Sequence, residues 1–133
     1  MANPIPDKYA DLFDKKVFAG LATLMPDGAP QVTPVWIDYD GANVLFNTAI
    51  GRQKDKHLQA QPRVSVMLVD PENPYRYLEV RGKIVKSTEE GAVEHIESLS
   101  RRYTGNPYFT DANPQGDQIR VTFLIEPTRV LAR

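Results

Sequence analysis

The sequence contains no cysteine, which excludes disulfides, thiolate-held metals, iron–sulfur clusters and a cysteine nucleophile, and leaves the redox compartment undecided. Histidine is almost as scarce. With two residues, His57 and His95, a protein-held metal centre is not expected, and single-histidine ligation of a haem is the one metal arrangement left open. No stretch approaches the ~18 apolar residues that a membrane-spanning helix requires. Charge of one sign is missing too: a net charge of -1 gives no whole-molecule attraction to nucleic acid or anionic lipid, so any such attraction must come from a local patch. The catalytic signatures G-x-S-x-G, H-E-x-x-H and the P-loop are absent, as is a G-x-G-x-x-G opening a helix after a strand, so a dinucleotide-binding βαβ unit is not supported.

What remains is an ordinary globular composition, 41% hydrophobic and 25% charged over 133 residues. A chain of this length suits one domain, 1–133, burying roughly two-thirds of the surface its unfolded form exposes. The N-terminal run "MANPIPDKYADLFDKK" is polar and broken by proline, without the apolar core of a secretion signal, which makes a cytoplasmic location the expectation.

Strands dominate the pattern. "KVFAGLATL" (16–24), "QVTPVWIDYD" (31–40) and "NVLFNTA" (43–49) read as three strands in meander order, joined by turns at Asp27-Gly28 and Asp40-Gly41. "RVSVMLVD" (63–70) is a β-branched strand, and in "YRYLEVRGKIVKS" (75–87) a nearly apolar face alternates with a polar one. Ser87 with Glu90 forms a capping-box pattern ahead of Ala92, Val93, Ile96, Leu99 and Tyr103 at helical spacing, closed near Gly105. Residues 104–116 form a Gly- and Pro-containing loop of the kind that lies over a site or an interface. "DQIRVTFLIEPTRVLAR" closes the chain as one strand or two, with Pro127 at a break or an edge. So many short strands in a small chain predict a closed antiparallel barrel with helices beside it.

Between two of these strands lies "TAIGRQKDKHL" (48–58). A helix starting near Gly51 or Arg52 would present free main-chain N–H groups and a positive dipole end, where phosphate binds. Cations in a first turn oppose that dipole, so Arg52 and Lys54 are locally unfavourable unless an anion offsets them. On a regular helix Arg52 and Lys56 share a face while Lys54 points away. From the residues alone two readings stand, an anion site and a solvated basic helix relieved by Asp55.

The run from Pro30 to Ile84, which includes "QVTPVW", "NTAIGRQKDKHL" and "YLEVRGKI", resembles the split-barrel flavin-binding superfamily of pyridoxamine-phosphate-oxidase-like proteins. Within it, the branch of small deazaflavin (coenzyme F420)-dependent oxidoreductases is the most similar. The likeness extends from "FAGLATLMPDGAPQVTPVW" to the closing "PTRV", and its most specific block is T-x-x-G-R-x-K, here Thr48, Gly51, Arg52 and Lys54. The resemblance implies a mainly β (α+β) fold, a split antiparallel barrel of six to seven strands with flanking helices. It further implies that Arg52 and Lys54 are the cations for the coenzyme phosphate, with the Thr48 hydroxyl nearby and Lys56 the neighbouring basic position. His57 stands where the family commonly has Asn. Gln31, Thr33, Pro34 and Val35 would line the tricyclic ring, and a homodimer with the coenzyme between two barrels is implied, with no nucleic acid or membrane as partner.

Chemically, the resemblance implies a hydride passed from reduced F420 to an electron-poor double bond of a small organic substrate. No catalytic acid or base is legible, which suits an enzyme whose coenzyme carries the reaction. FMN is the alternative coenzyme, since the phosphate cradle serves either. Vitamin B6 oxidation is not expected, because the R-x-V-L-x-K block and the C-terminal basic and Trp pattern are missing. A non-enzymatic flavin carrier and a small nucleic-acid-binding barrel are the readings from other classes. Trp36 is either core, dimer interface or a wall of the ring pocket; Tyr75 and Tyr77 either stack on a ligand across a dimer interface or are plain surface or interface residues; His95 reads as structural.

Overall fold

The computed structural model describes residues 4–133, so residues 1–3 of the expected domain lie outside the described part. Alternation sets the sheet. In β1 (Ala19–Leu24) Ala19, Leu21 and Thr23 are buried, while Gly20, Ala22 and Leu24 lie half-buried on the other face. Val64, Val66 and Leu68 of β5 (Arg63–Asp70) and Leu78 and Val80 of β6 (Asn73–Thr88) continue the inner face. With β2 (Pro30–Val35), β3 (Asp38–Tyr39), β4 (Val44–Ala49) and β7 (Arg120–Ala132), these make one seven-stranded antiparallel sheet in the order β2-β1-β5-β6-β7-β4-β3. The sheet curls into a half-barrel flanked by α1 (Gln53–Ala60), α2 (Ala92–Thr104) and a 3-10 helix over Asp7–Phe13, giving a mainly β split barrel. Phe46 and Phe123 stack at its centre with ring centroids 5.3 Å apart. Fully burying side chains of this size contributes about 1.5–3 kcal/mol each.

Residues 31–40, expected as one strand, divide between the two edges of the sheet. The chain leaves β2 at Val35 and joins the opposite edge as β3 at Asp38, so Trp36 and Ile37 span the gap where the barrel is split. Pro34 cannot donate to a ladder, and the Ile37 N–H is taken instead by the Tyr103 hydroxyl of α2 at 3.1 Å. That hydroxyl donates onward to the Val17 carbonyl at 2.6 Å. The buried bend is thus satisfied by a helix side chain rather than by a neighbouring strand.

The capping box is not formed. β6 runs on to Thr88, with Ser87 paired to Phe123 of β7, and α2 begins at Ala92 behind Gly91, whose φ of 75° puts it in the left-handed region. Glu90 gives its N–H to the Thr88 hydroxyl at 3.2 Å. Ladder bonds to β7 outweigh a local cap at Ser87. The chain end is one strand, and Thr128 is the extra residue where the register slips past Gly82 and Pro127; β4 has ended its pairing by Ile125, so Pro127 sits where β7 has a neighbour on one side only.

The N-terminal segment, given no element by its sequence pattern, packs Ile5, Leu12 and Phe13 into the barrel core. It is fastened by charge. Arg76 donates to Asp11 at 2.7 Å and to Asp70 at 2.8 Å, and Lys15 lies 3.3 Å from Asp11. Arg76 and Lys15 hold the Asp11 carboxyl below its ordinary 3.8, at about 2.

Candidate functional site

A cavity of about 240 Å³ opens where the end of β2, the start of α1, α2 and the beginning of β7 converge. Pro34, Val35 and Trp36 form one wall and Ile96, Leu99 and Tyr108 another. Asn47 and Thr48 of β4, Arg52, Lys54 and Arg120 supply the polar lining. Trp36 stacks on Tyr103 at 5.3 Å and meets Tyr108 edge-on at 6.0 Å, which fixes the indole as the partition between barrel edge and α2. Tyr108 in turn is held by its backbone: its N–H and that of Phe109 donate to the two carboxylate oxygens of Glu97 at 3.1 and 2.9 Å.

The basic segment does not start as a regular helix. Gly51 has φ 90°, a conformation that a residue with a Cβ adopts only with strain, and Arg52 is extended (φ -70°, ψ 163°) with the helix proper beginning at Gln53. This irregular entry turns Arg52 and Lys54 into the same cavity. Lys56 points elsewhere, to a groove with Met25, His57 and Arg63 on the other side of α1. The regular i,i+4 expectation for Arg52 and Lys56 fails because Arg52 precedes the helix.

Asp55 does not relieve these cations. Its carboxylate accepts the Gly51 N–H at 2.9 Å and a proton of the Gln59 amide at 3.3 Å, and no salt bridge among the described residues involves Arg52, Lys54 or Arg120. Burial, then the neighbouring Arg52 charge, pushes the Lys54 ammonium below its ordinary value. The main-chain N–H groups of Gln53, Lys54 and Asp55, at the first turn of α1, have no intrahelical acceptor. The arrangement is suited to an anion.

Of the residues singled out from the sequence, Pro34, Val35, Thr48, Arg52 and Lys54 meet in this cavity. Gln31 and Thr33 lie half-buried on β2, paired across to Thr23 and Leu21, outside the cavity lining. Gly51 borders an adjacent depression with Asp117, Gln118 and Ile119. His57 is 4% exposed, with Nδ1 3.2 Å from the Thr23 hydroxyl, and braces α1 against β1. His95 sits with Nε2 3.1 Å from Asp38 Oδ2. Burial pushes the Asp38 carboxyl up, but the His95 and Tyr39 hydrogen bonds and the Arg102 charge hold it below its ordinary value. Tyr75 is 87% exposed on β6.

Arg120, Asn47, Tyr108 and Phe18 are lining residues that the sequence does not point to, and Ile96 and Leu99 read only as helix core. Arg120 is joined to the site only through the pairing of β7 with β4, Ala49 opposite Arg120, and its one local signal is a charge opening an otherwise apolar strand, "RVTFLI". Asn47 carries no pattern at all. Tyr108 lies in the loop expected to cover a site.

The pyridoxamine 5'-phosphate oxidase family model matches residues 5–133. Among solved structures, an F420 reductase is 35% identical, with a TM-score of 0.84 over 96% of this chain and 98% of that one. A conserved hypothetical protein of Mycobacterium tuberculosis is 29% identical, with a TM-score of 0.76 over 99% of this chain and 87% of its own. The Group A Streptococcus protein HupZ, at 19% identity and a TM-score of 0.70 over 96% and 93% of the two chains, shares the fold. No curated protein matches the chain. A family match over nearly the whole chain, on a curled sheet split at Trp36–Ile37, places this protein in the pyridoxamine 5'-phosphate oxidase-like split-barrel superfamily, to which it belongs.

Proposed function

We propose that the protein is an oxidoreductase that binds coenzyme F420 and reduces an electron-poor double bond of a small organic substrate. The observation that carries this reading is the convergence of Arg52 and Lys54, neither paired with a carboxylate, on one cavity with the Pro34–Val35 edge of β2. The cations and the Thr48 hydroxyl suit the coenzyme phosphate. The outer side of β2, unpaired in the sheet, suits the donor and acceptor rim of a tricyclic ring. When bound, the coenzyme supplies the hydride. The protein's own groups then bind, orient and exclude water, and no side chain is assigned as acid or base.

The likeness to an F420 reductase at 35% identity favours F420. FMN carries the same phosphate and is the second reading, supported by the family match.

A cavity of about 240 Å³ is smaller than the roughly 300–1,000 Å³ typical of ligand pockets, so a second copy is proposed to complete it. The outer sheet face beside it carries Phe18, Val32 and Met67 at 65%, 67% and 47% exposure, next to Gly20 and Ala22. Such a contiguous apolar face suits a self-complementary two-fold contact. No helix of the described residues is long and apolar enough to cross a membrane, and a cytoplasmic site of action remains part of the proposal.

Titrating the protein with F420 and FMN side by side tests the reading: F420 fluorescence should be quenched at micromolar protein, and reduced F420 should be consumed with an enone, quinone or nitroarene. Binding without turnover over that panel would favour a carrier, and absence of binding by both coenzymes would refute the assignment.

A further inference from the structure

Arg120 is 3% exposed and lines the cavity. A guanidinium that deep normally has a carboxylate beside it, because removing its hydration is costly. Here no hydrogen-bonding partner among the described residues is a carboxylate: Nε donates to Asn47 Oδ1 at 2.9 Å, Nη1 to Gln118 Oε1 at 3.1 Å, and the Tyr108 side chain is a further partner. The Tyr108 ring stands 5.2 Å from the guanidinium carbon. The acid of the adjoining network, Asp38, is already engaged by His95 and Arg102.

The Asn47 amide is itself fixed. Its nitrogen donates to the Ala92 carbonyl at 2.8 Å, which turns its oxygen, not its nitrogen, toward Arg120. The clamp therefore holds the guanidinium in place without neutralising it. Burial above all lowers the basicity of Arg120; the Tyr108 interaction opposes it, the nearby Arg52 charge adds to it, and the guanidinium is left below its ordinary value.

We propose that Arg120 is an anion-receiving residue of this cavity, held by Asn47 and Gln118 as neutral clamps so that its charge meets a phosphate or carboxylate oxyanion of the bound ligand. This rests on the cavity binding an acid and not on which coenzyme enters it.

Replacing Arg120 risks unfolding a buried position, so the informative variant is Gln118→Glu, which keeps the acceptor and adds a negative charge beside the guanidinium. The probes are inorganic phosphate, FMN, F420, and benzoate added to FMN-loaded protein. Gln118→Glu should raise the melting temperature of the ligand-free protein while weakening oxyanion binding about tenfold or more, whereas Gln118→Ala, which deletes a hydrogen bond without adding charge, should lower the melting temperature and weaken binding by roughly threefold at most. Loss of phosphate and FMN binding assigns the oxyanion to a coenzyme phosphate, and loss confined to benzoate assigns it to an acidic substrate. Charge-dependent phosphate binding without uptake of FMN or F420 would retain the inference and refute the coenzyme reading. If the wild-type protein binds none of the probes, or if Gln118→Glu leaves all of them within about twofold of wild type, Arg120 is structural and the proposal is overturned.

Discussion

Removing both cations at the start of α1 should move stability and binding in opposite directions. Arg52 is exposed and Lys54 half-buried, and neither has an acidic partner among the described residues. In the ligand-free protein Arg52→Ala with Lys54→Ala deletes two like charges beside a positive helix end, which should stabilise the fold by a few tenths of a kcal/mol. With a phosphate-bearing coenzyme bound, the same change removes two charge-assisted contacts. Each is worth roughly 1.5–3 kcal/mol, and because they share one phosphate the joint loss is taken as about 2–4 kcal/mol. That corresponds to roughly 30- to 1,000-fold in Kd. Fluorescence titration with F420 and with FMN measures the second quantity and thermal melting the first. The wild-type affinity should also fall more steeply with salt than that of the variant, since phosphate contacts are screened. A variant that melts lower and binds both coenzymes as tightly as wild type would show the two residues to be a solvated helix start and nothing more.

Other positions give independent checks. Gly82 faces β7 so closely that an added Cβ would lie 2.3 Å from the Glu126 carbonyl oxygen and 2.8 Å from Ile125 Cγ2. Gly82→Ala should therefore cost roughly 3 kcal/mol, read by denaturant unfolding, and a loss below about 1 kcal/mol would mean the strands separate there easily. Asp11, lowered from 3.8 to about 2 chiefly by the Arg76 hydrogen bond, contributes stability that is complete above its unfolded value and is lost as pH falls through its folded one. Its side chain is 43% exposed, so solvent screening limits the contribution to about 1 kcal/mol or less. The melting difference between wild type and Asp11→Asn should hold at neutral pH, narrow below pH 4 and be largely lost only as pH falls through about 2; a constant difference across that window would contradict it. Val32→Glu, on the exposed apolar face beside the cavity, should shift the proposed dimer to monomer in sedimentation and weaken binding of the proposed coenzyme together. A monomeric variant with unchanged affinity would show the cavity to be complete in one chain.

How far the sequence carries depends on the distance over which each signal is written. Strands at 63–70 and 75–87 were legible because alternation is a property of neighbours, and α2 because Ile96, Leu99 and Tyr103 recur within one helix. Where a local signal competed with pairing at long range, pairing decided. Ser87 and Glu90 have the spacing of a cap, yet Ser87 is bonded into the β7 ladder, and residues 31–40 read as one strand but turn at Trp36 and Ile37 because a tyrosine on a distant helix supplies the acceptor.

The cavity follows the same rule. The block from Thr48 to Lys54 is contiguous, and it brought Thr48, Arg52 and Lys54 to the cavity; Lys56 did not follow, because helical spacing holds only inside a helix and Arg52 lies before its first turn. Arg120 belongs to no motif. It reaches the cavity through the register of β7 on β4, and its uncompensated charge becomes visible only when the absence of a carboxylate can be checked in three dimensions. Two neutral amides where an ion pair would stabilise the empty fold better are what a ligand-binding site requires, because a carboxylate at Gln118 would already occupy the charge that an incoming oxyanion must meet.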